Sequence, residues 1–335
     1  MTQSPSIPHV VIIGGGTGSY VLASGLRQQP VQITMLMTMV DDGGSNKTLR
    51  DEFGLLPTSG IRQAIVALSE NQTVLRKLFT YRYHQGGAGL YGMTFGNLFM
   101  AAMSDIMGSQ KAGIEETCRL LQVKGQILPI SYDDVKLVAT YEDGSQVVGE
   151  HLIDEPERDQ PLRITSLATQ PTATISPEAK TAILDADLII LGPGDFYTNT
   201  IANLVVEGVP AALSQTDAKI MFVTNLMTKL SETPAYTLQD FINDLTQYLP
   251  KKELDYLLVN NNEQYPKSAL KLYENESAQP IHDDLPQDHL NGTKIIRADL
   301  LSTQVPEQAK GDQLARSMIR HDSAKLAREI MRLFA

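Results

Sequence analysis

A chain of 335 residues that is 42% hydrophobic and 20% charged can bury one large α/β core. Its formal net charge of −11 argues against nucleic acid as the main partner, because phosphate-backbone binding needs a basic footprint. The single cysteine, Cys118, excludes an internal disulfide or a multi-cysteine metal site and reads as a small hydrophobe on a helix; no run approaches the ~18 apolar residues of a membrane span.

Residues 1–8 read as a flexible tail, polar and punctuated by proline, without the order of a signal peptide, so the cytoplasm is the expected location. Residues 9–335 read as a single α/β domain. Val10 to Ile13 are four consecutive β-branched residues, which predicts a strand buried on both faces. The strand runs into Gly14, Gly15, Gly16, Thr17 and Gly18, then into an apolar helical pattern at Val21, Leu22, Gly25 and Leu26. Such a strand–loop–helix suits a phosphate, through backbone N–H groups, the helix N-terminus and the Thr17 hydroxyl. A dinucleotide fingerprint would need glycine at Ser19 and an acid where Met37-Thr38-Met39 stand, which disfavours a nicotinamide-dependent oxidoreductase.

A second apolar run, Val31 to Val40, ends in Asp41-Asp42-Gly43-Gly44-Ser45. Ligands of open α/β sheets bind beyond the carboxyl ends of the strands, where both loops are expected to lie. Asp41 and Asp42 can hold Mg²⁺ together with waters and ligand phosphates, accept hydrogen bonds from a ribose or sugar, or cap the following turn. Met35, Met37 and Met39 read as gap-filling core or site-wall residues.

A short helical piece is expected around Lys47–Phe53. Ile61–Ser69, Val74–Phe79, Phe95–Met107 and Ile114–Leu121 read as helices, with Thr94 as an N-cap. Arg62 can pair with a diphosphate, or with Asp51 or Glu52 at the surface. Asn97, in an apolar helix, needs a hydrogen-bond partner: a ligand or a loop carbonyl. Residues 125–170 read as a small β-rich insertion, with short strands at Gln126–Pro129, Val135–Tyr141, Gln146–Glu150 and Ile164–Leu167 and a hairpin turn at Asp143-Gly144. Alternation then resumes. Pro177–Leu184 is a helix, Asp187–Leu191 a strand, Lys219–Thr224 a strand, Thr237–Leu249 a helix and Asp255–Asn260 a strand. Five strand–loop–helix units predict a doubly wound, mostly parallel sheet. Residues 262–293 read as polar and irregular, with His282 and His289, like His321, as ordinary surface histidines. Lys294–Ala298 is a late strand. Leu314–Phe334 is an amphipathic helix, expected to pack on its own domain, with a dimer contact as the alternative. Gly192, Gly194 and Thr198 follow one strand, Asn225 and Thr228 another; all are candidate ligand contacts, and Asn260 and Asn261 are candidates for reading a base.

Taken together, the loops resemble the gluconeogenesis-factor family (YvcK-like), related to 2-phospho-L-lactate transferase (CofD-like) proteins. The pieces that carry the resemblance are Gly14–Gly18, Asp41–Ser45, Leu49-Arg50, Leu56-Pro57 with Ile61-Arg62, Phe95–Leu98, Gly192–Gly194 with Tyr197-Thr198, and Asn225–Thr228, in order over roughly residues 9 to 262. The resemblance implies a modified Rossmann-like fold with a nucleotide-type ligand at the strand ends. In the gluconeogenesis-factor branch it implies a UDP-sugar such as UDP-N-acetylglucosamine, an unidentified regulatory protein partner, and a link to cell shape and cell-wall homeostasis under gluconeogenic growth. In the transferase branch it implies transfer of a phospholactate group from a nucleotide-activated donor, with magnesium near an acidic pair. This chain departs from the family pattern at Gly60, where an acid is usual, at Met93, where a histidine is usual, and at Asn46-Lys47, where Ser-Gly is usual. The missing carboxylate weakens metal-assisted transfer and the missing imidazole removes one natural general base. Asn225–Thr228 is followed by Leu230 and Ser231, where proline and glycine are usual.

Overall fold

The computed structural model describes residues 7–43, 46, 50–51, 54–70, 72–157, 161–249, 253–286, 288–304 and 318–334. Ser45, Lys47 and Leu49, and most of the helical piece expected at 47–53, lie outside the described residues. In chain order the strands are β1 (His9–Gly14), β2 (Gln32–Met37), β3 (Gln126–Pro129), β4 (Lys136–Tyr141), β5 (Gln146–Val148), β6 (Ile164–Gln170), β7 (Leu188–Leu191), β8 (Lys219–Val223), β9 (Tyr256–Asn260), β10 (His289–Leu290) and β11 (Thr293–Ala298). Eight of them form one sheet in the order β10-β11-β9-β8-β7-β1-β2-β3. Only β10–β11 is antiparallel; every other neighbouring pair is parallel.

The β-branched run of β1 explains its place at the centre. Val10 and Ile12 enter one apolar cluster, Val11 and Ile13 the other, and none of the four is exposed. A strand buried on both faces needs helices on both, which is the expected α/β architecture. Helix α1 (Gly16–Leu26) and the terminal helix (Ser323–Met331) cover one face together. Leu22, Ala23 and Leu26 share that core with Leu326, Ala327 and Ile330, so the terminal helix packs on its own domain. A Cβ on Gly25 would stand 2.0 Å from the Ser323 carbonyl, so glycine permits the close crossing. Met35, Met37 and Met39 are buried in the same core. The chain leaves β1 toward β2 and later returns to β7 on β1's other side. The topological switch point therefore lies between β1 and β7, where the loops after both strands converge.

Several expectations are corrected. Gln126–Pro129 is not part of the insertion: β3 pairs in parallel with β2 as the edge of the main sheet, with Ile127 buried against the main core. The separate three-stranded antiparallel sheet is β5-β4-β6. Glu150 begins a short helix (Glu150–Asp154) instead of ending a strand, because Gly149 turns the chain at φ +113°. Residues 262–293 contain a helix, Lys267–Asn275, whose apolar stripe is narrow; only Ala269 and Tyr273 are fully buried. The C-terminal amphipathic helix starts only at Ser323, capped by Asp322. Residues 314–317 lie outside the described residues, and His321 bridges Leu301 in extended form. His321 is buried, not a surface histidine.

Candidate functional site

The sheet's C-terminal edge has two halves. The first lies beyond β1 and β2. Helix α1 starts at Gly16 with no side chain capping it, and Gly16 takes φ +64°. The glycine loop lies directly against the loop that follows β7. A Cβ on Gly18 would stand 2.5 Å from the Pro193 carbonyl oxygen, and one on Gly194 would stand 2.7 Å from the Gly15 carbonyl oxygen. A Cβ on Gly15 would meet Asn199 Oδ1 at 2.1 Å. The glycines thus let the two loops approach each other, which is also what brings backbone N–H groups to one place.

Asp41 is engaged on both oxygens. Oδ1 accepts the Gly43 N–H at 3.0 Å and Oδ2 accepts the Ser59 hydroxyl at 2.5 Å. A neutral network continues inward. Asn46 donates to Ser59 at 3.0 Å, Asn97 Nδ2 donates to Asn46 at 3.4 Å, and Thr58 donates to Asn97 Oδ1 at 3.3 Å. The amide of Asn97 is therefore satisfied by loop side chains. Asp42 reaches the insertion: its Oδ1 accepts the N–H of His151 at 2.9 Å, capping the helix Glu150–Asp154 from outside. A Cβ on Gly149 would stand 2.9 Å from Asp42 Oδ2, so glycine admits that carboxylate.

Among the described residues, Arg62 makes no ion pair. Its stem crosses Gly96, where a Cβ would stand 2.3 Å from the arginine Cδ, and Nη1 donates to the Phe79 carbonyl at 2.6 Å. Its Nε is buried without a partner. Burial, and then the charge of Arg82, pull its pKa down to about 10, with Asp41 acting in the opposite sense.

The second half lies beyond β7 and β8. Asn225 donates to the Gly194 carbonyl at 2.7 Å, while its Oδ1 has no partner. Thr228 is tied to Gln279 through both its N–H and its hydroxyl. Asn260 holds its own loop, accepting from Asn262 and from the Leu300 N–H. Thr198 donates its hydroxyl to Glu232 at 2.9 Å, and the same carboxylate accepts the N–H groups of Tyr197 and Thr198. Glu232, fully buried, also faces Lys229 Nζ at 2.9 Å. Burial pushes the Glu232 carboxyl up. Four donors aimed at its two oxygens are nevertheless the environment of an ionised acid, since a protonated carboxyl would itself have to donate. Lys229 further contacts Asp195 at 2.7 Å and Asp154 of the insertion helix. Burial opposes the Lys229 charge, but Asp195, Glu232 and Asp154 outweigh it and hold its pKa well above the ordinary lysine value. Beside them, burial and then the carboxylates of Asp41 and Asp154 push Glu150 well above the usual carboxylate range.

Glu150, Asp154, Lys229 and Glu232 escape a reading by motif. The available signal is the Lys229–Glu232 spacing just after the Asn225–Thr228 loop. The acids of the insertion have no sequence link to it.

Asp41 accepts N–H and O–H donors on both oxygens, and Asp42 accepts the His151 N–H on Oδ1. Among the described residues, the acids whose oxygens lie within 4.8 Å of one another are Asp154, Asp195 and Glu232. That cluster surrounds an ammonium. The acid cluster is therefore filled by the Lys229 ammonium, while a magnesium ion at the aspartate loop would bind through one or two carboxylates with waters and ligand phosphates completing its shell. Gly60 faces Met37 and Thr38 at the end of β2, so the carboxylate usual there would have stood at the strand ends. Met93 is buried apolar packing against Ala101.

The chain resembles known proteins over most of its length. Residues 10–301 match the family model "2-phospho-L-lactate transferase CofD". The chain is 36% identical over 320 residues to the "Gluconeogenesis factor" of Bacillus subtilis, covering 96% of each chain. It is 37% identical over 273 residues to the "Gluconeogenesis factor" of Halalkalibacterium halodurans, covering 82% of this chain and 83% of that one. This chain belongs to the gluconeogenesis-factor family. Its fold is that of a solved Bacillus halodurans protein of the UPF0052 family, with a TM-score of 0.86 at 32% identity over 98% of this chain and 100% of that chain. At its sheet edge, this chain combines an internally hydrogen-bonded aspartate loop with a lysine-centred acid cluster.

Proposed function

We propose that this protein is a cytoplasmic UDP-sugar-binding regulator of the gluconeogenesis-factor type, with UDP-N-acetylglucosamine as the kind of ligand it takes. It serves cell shape and cell-wall homeostasis under gluconeogenic growth through a protein partner, without chemistry of its own. One observation carries the reading. Buried polar atoms without partners gather at the C-terminal ends of the strands: Thr38 Oγ1 after β2, Thr200 Oγ1 and Asn203 Oδ1 after β7, and Asn225 Oδ1 after β8. Buried polar groups without partners are expensive, and a polyhydroxylated ligand with a diphosphate supplies both donors and acceptors. The uncapped start of α1 and the apposed Gly14–Gly18 and Gly192–Gly194 loops suit the diphosphate. Asp41, Asp42, Ser45, Arg62, Asn97, Thr198, Thr228 and Asn260 are proposed as the surrounding shell. A sensor needs only that the ligand-bound form differ in affinity for its partner.

The test is thermal unfolding with UDP-N-acetylglucosamine, UDP-glucose, GDP and NAD⁺, each with and without Mg²⁺. At ~100 times its dissociation constant a ligand stabilises the native state by roughly 2.7 kcal/mol. A shift with UDP-sugars that ignores Mg²⁺ is the expected result. A shift that requires Mg²⁺ and favours GDP would replace the sensor with a magnesium-dependent phospho-group transferase. No shift with any of them would remove the ligand assignment.

A further inference from the structure

We propose that Lys229 is this protein's built-in substitute for a divalent cation, clamping the β-rich insertion to the edge of the main sheet. The observation is geometric. The three acids among the described residues whose oxygens could surround a metal come from three separate elements: Asp154 from the insertion helix, Asp195 from the loop after β7, and Glu232 from the segment after β8. Lys229 Nζ contacts all three, at 2.7 Å to Asp195, 2.9 Å to Glu232 and within ion-pair distance of Asp154. A divalent ion in the cluster would bind these same carboxylate oxygens, so the ammonium and the ion exclude each other. The ammonium brings a single charge, however. Burial, and then the carboxylates of Asp41 and Asp154, hold the neighbouring Glu150 toward its neutral form.

The clamp has a mechanical role. The insertion is fastened to the main domain at its other end by Arg163, which pairs with Asp240 at 3.1 Å and lies 4.8 Å over the Tyr236 ring. At the helix Glu150–Asp154 the polar ties to the main domain include Asp42 to the His151 N–H and Asp154 to Lys229. Lys229 thus contributes to how firmly the insertion lies over the strand ends.

The experiment compares wild type and Lys229→Gln by Mn²⁺ titration, followed by electron paramagnetic resonance, and by thermal unfolding with Mn²⁺ or EDTA. No UDP-sugar is present, so the result is independent of the ligand proposed above. In wild type, neither Mn²⁺ nor EDTA moves the unfolding midpoint and no Mn²⁺ is bound at this site. Lys229→Gln is destabilised in EDTA, binds one Mn²⁺ and regains midpoint as Mn²⁺ is added. The regained midpoint disappears in Lys229→Gln/Asp154→Asn. Tight Mn²⁺ binding by wild type, or a Lys229→Gln protein that is as stable as wild type and ignores Mn²⁺, overturns the proposal. Should Lys229→Gln fail to fold even with Mn²⁺, Asp154→Asn in the wild-type background decides. Hydrogen exchange in residues 149–154 rises about tenfold or more if the clamp is real. Unchanged exchange there overturns it.

Discussion

The two halves of the sheet's C-terminal edge handle charge in opposite ways. Beyond β2, Asp41 is neutralised by dipoles, through a backbone N–H and a hydroxyl backed by Asn46, Asn97 and Thr58, and the buried Arg62 has a carbonyl for company. Beyond β7 and β8, three carboxylates meet an ammonium directly, and the fully buried Glu232 gathers two backbone N–H groups and a hydroxyl as well. The lesson is that the aspartates of the motif-rich loop are held by backbone and hydroxyl donors, while the concentrated charge sits on positions outside the motifs. The β7–β8 half should therefore be the brittle one.

The largest expected effect is at Glu232. Removing one partner from a buried charge network leaves the rest uncompensated, so Glu232→Ala should lower stability by about 3–5 kcal/mol in urea unfolding. A loss below ~1 kcal/mol would mean that the cluster is relaxed by solvent and would break the comparison.

Next is the pH dependence set by His321, packed beside the end of β8. Burial pulls its pKa to about 4 from the ordinary 6.5, against a hydrogen bond to the Thr224 backbone. Between these values the unfolded chain binds the extra proton, so this contribution is intact above about pH 6.5 and is lost as pH falls toward 4. The full span corresponds to roughly 3 kcal/mol. His321→Gln should flatten the acid limb of the stability curve; an unchanged limb would assign it to other groups.

Gly18→Ala comes third. Its Cβ would press on the Pro193 carbonyl at 2.5 Å, backbone against backbone, so the apposed loops must separate. A cost of about 1–3 kcal/mol is expected, together with loss of any UDP-sugar-induced shift. Full stability with retained binding would show that the loops have slack.

The smallest effect is at Arg62. Arg62 has a carbonyl partner and no ion pair among the described residues, so Arg62→Met, which keeps much of the buried volume, should change stability by less than about 1.5 kcal/mol. A loss as large as that of Glu232→Ala would mean that the two halves are equally charge-dependent.

Much of the frame was legible along the chain. The Val10–Ile13 run, the glycine loop, the Pro177 start and the Thr94 cap are local signals, and each produced the element expected. The edges were less legible. β3 looked like its β-rich neighbours and joined the main sheet instead, because only pairing with β2 distinguishes the two fates. The helix Lys267–Asn275 hid in a polar stretch because so few of its residues face the core. His321 sat in a charged tail segment and yet is buried, since the bridge to Leu301 draws it inward.

Sequence alone determined most of the strands and helices, and that the loops after β1, β2, β7 and β8 share one edge. The reason is that periodicity, branching and glycine act over a few residues and parallel strands point one way. Only the tertiary structure decided which charges meet there. Asp154 and Lys229 are 75 residues apart, and Asp42 and His151 are 109 apart. Coulombic and hydrogen-bonded contacts depend on distance in space, which no local pattern encodes, so the aspartates of the recognised motif became caps while an unremarked lysine became the centre of the cluster.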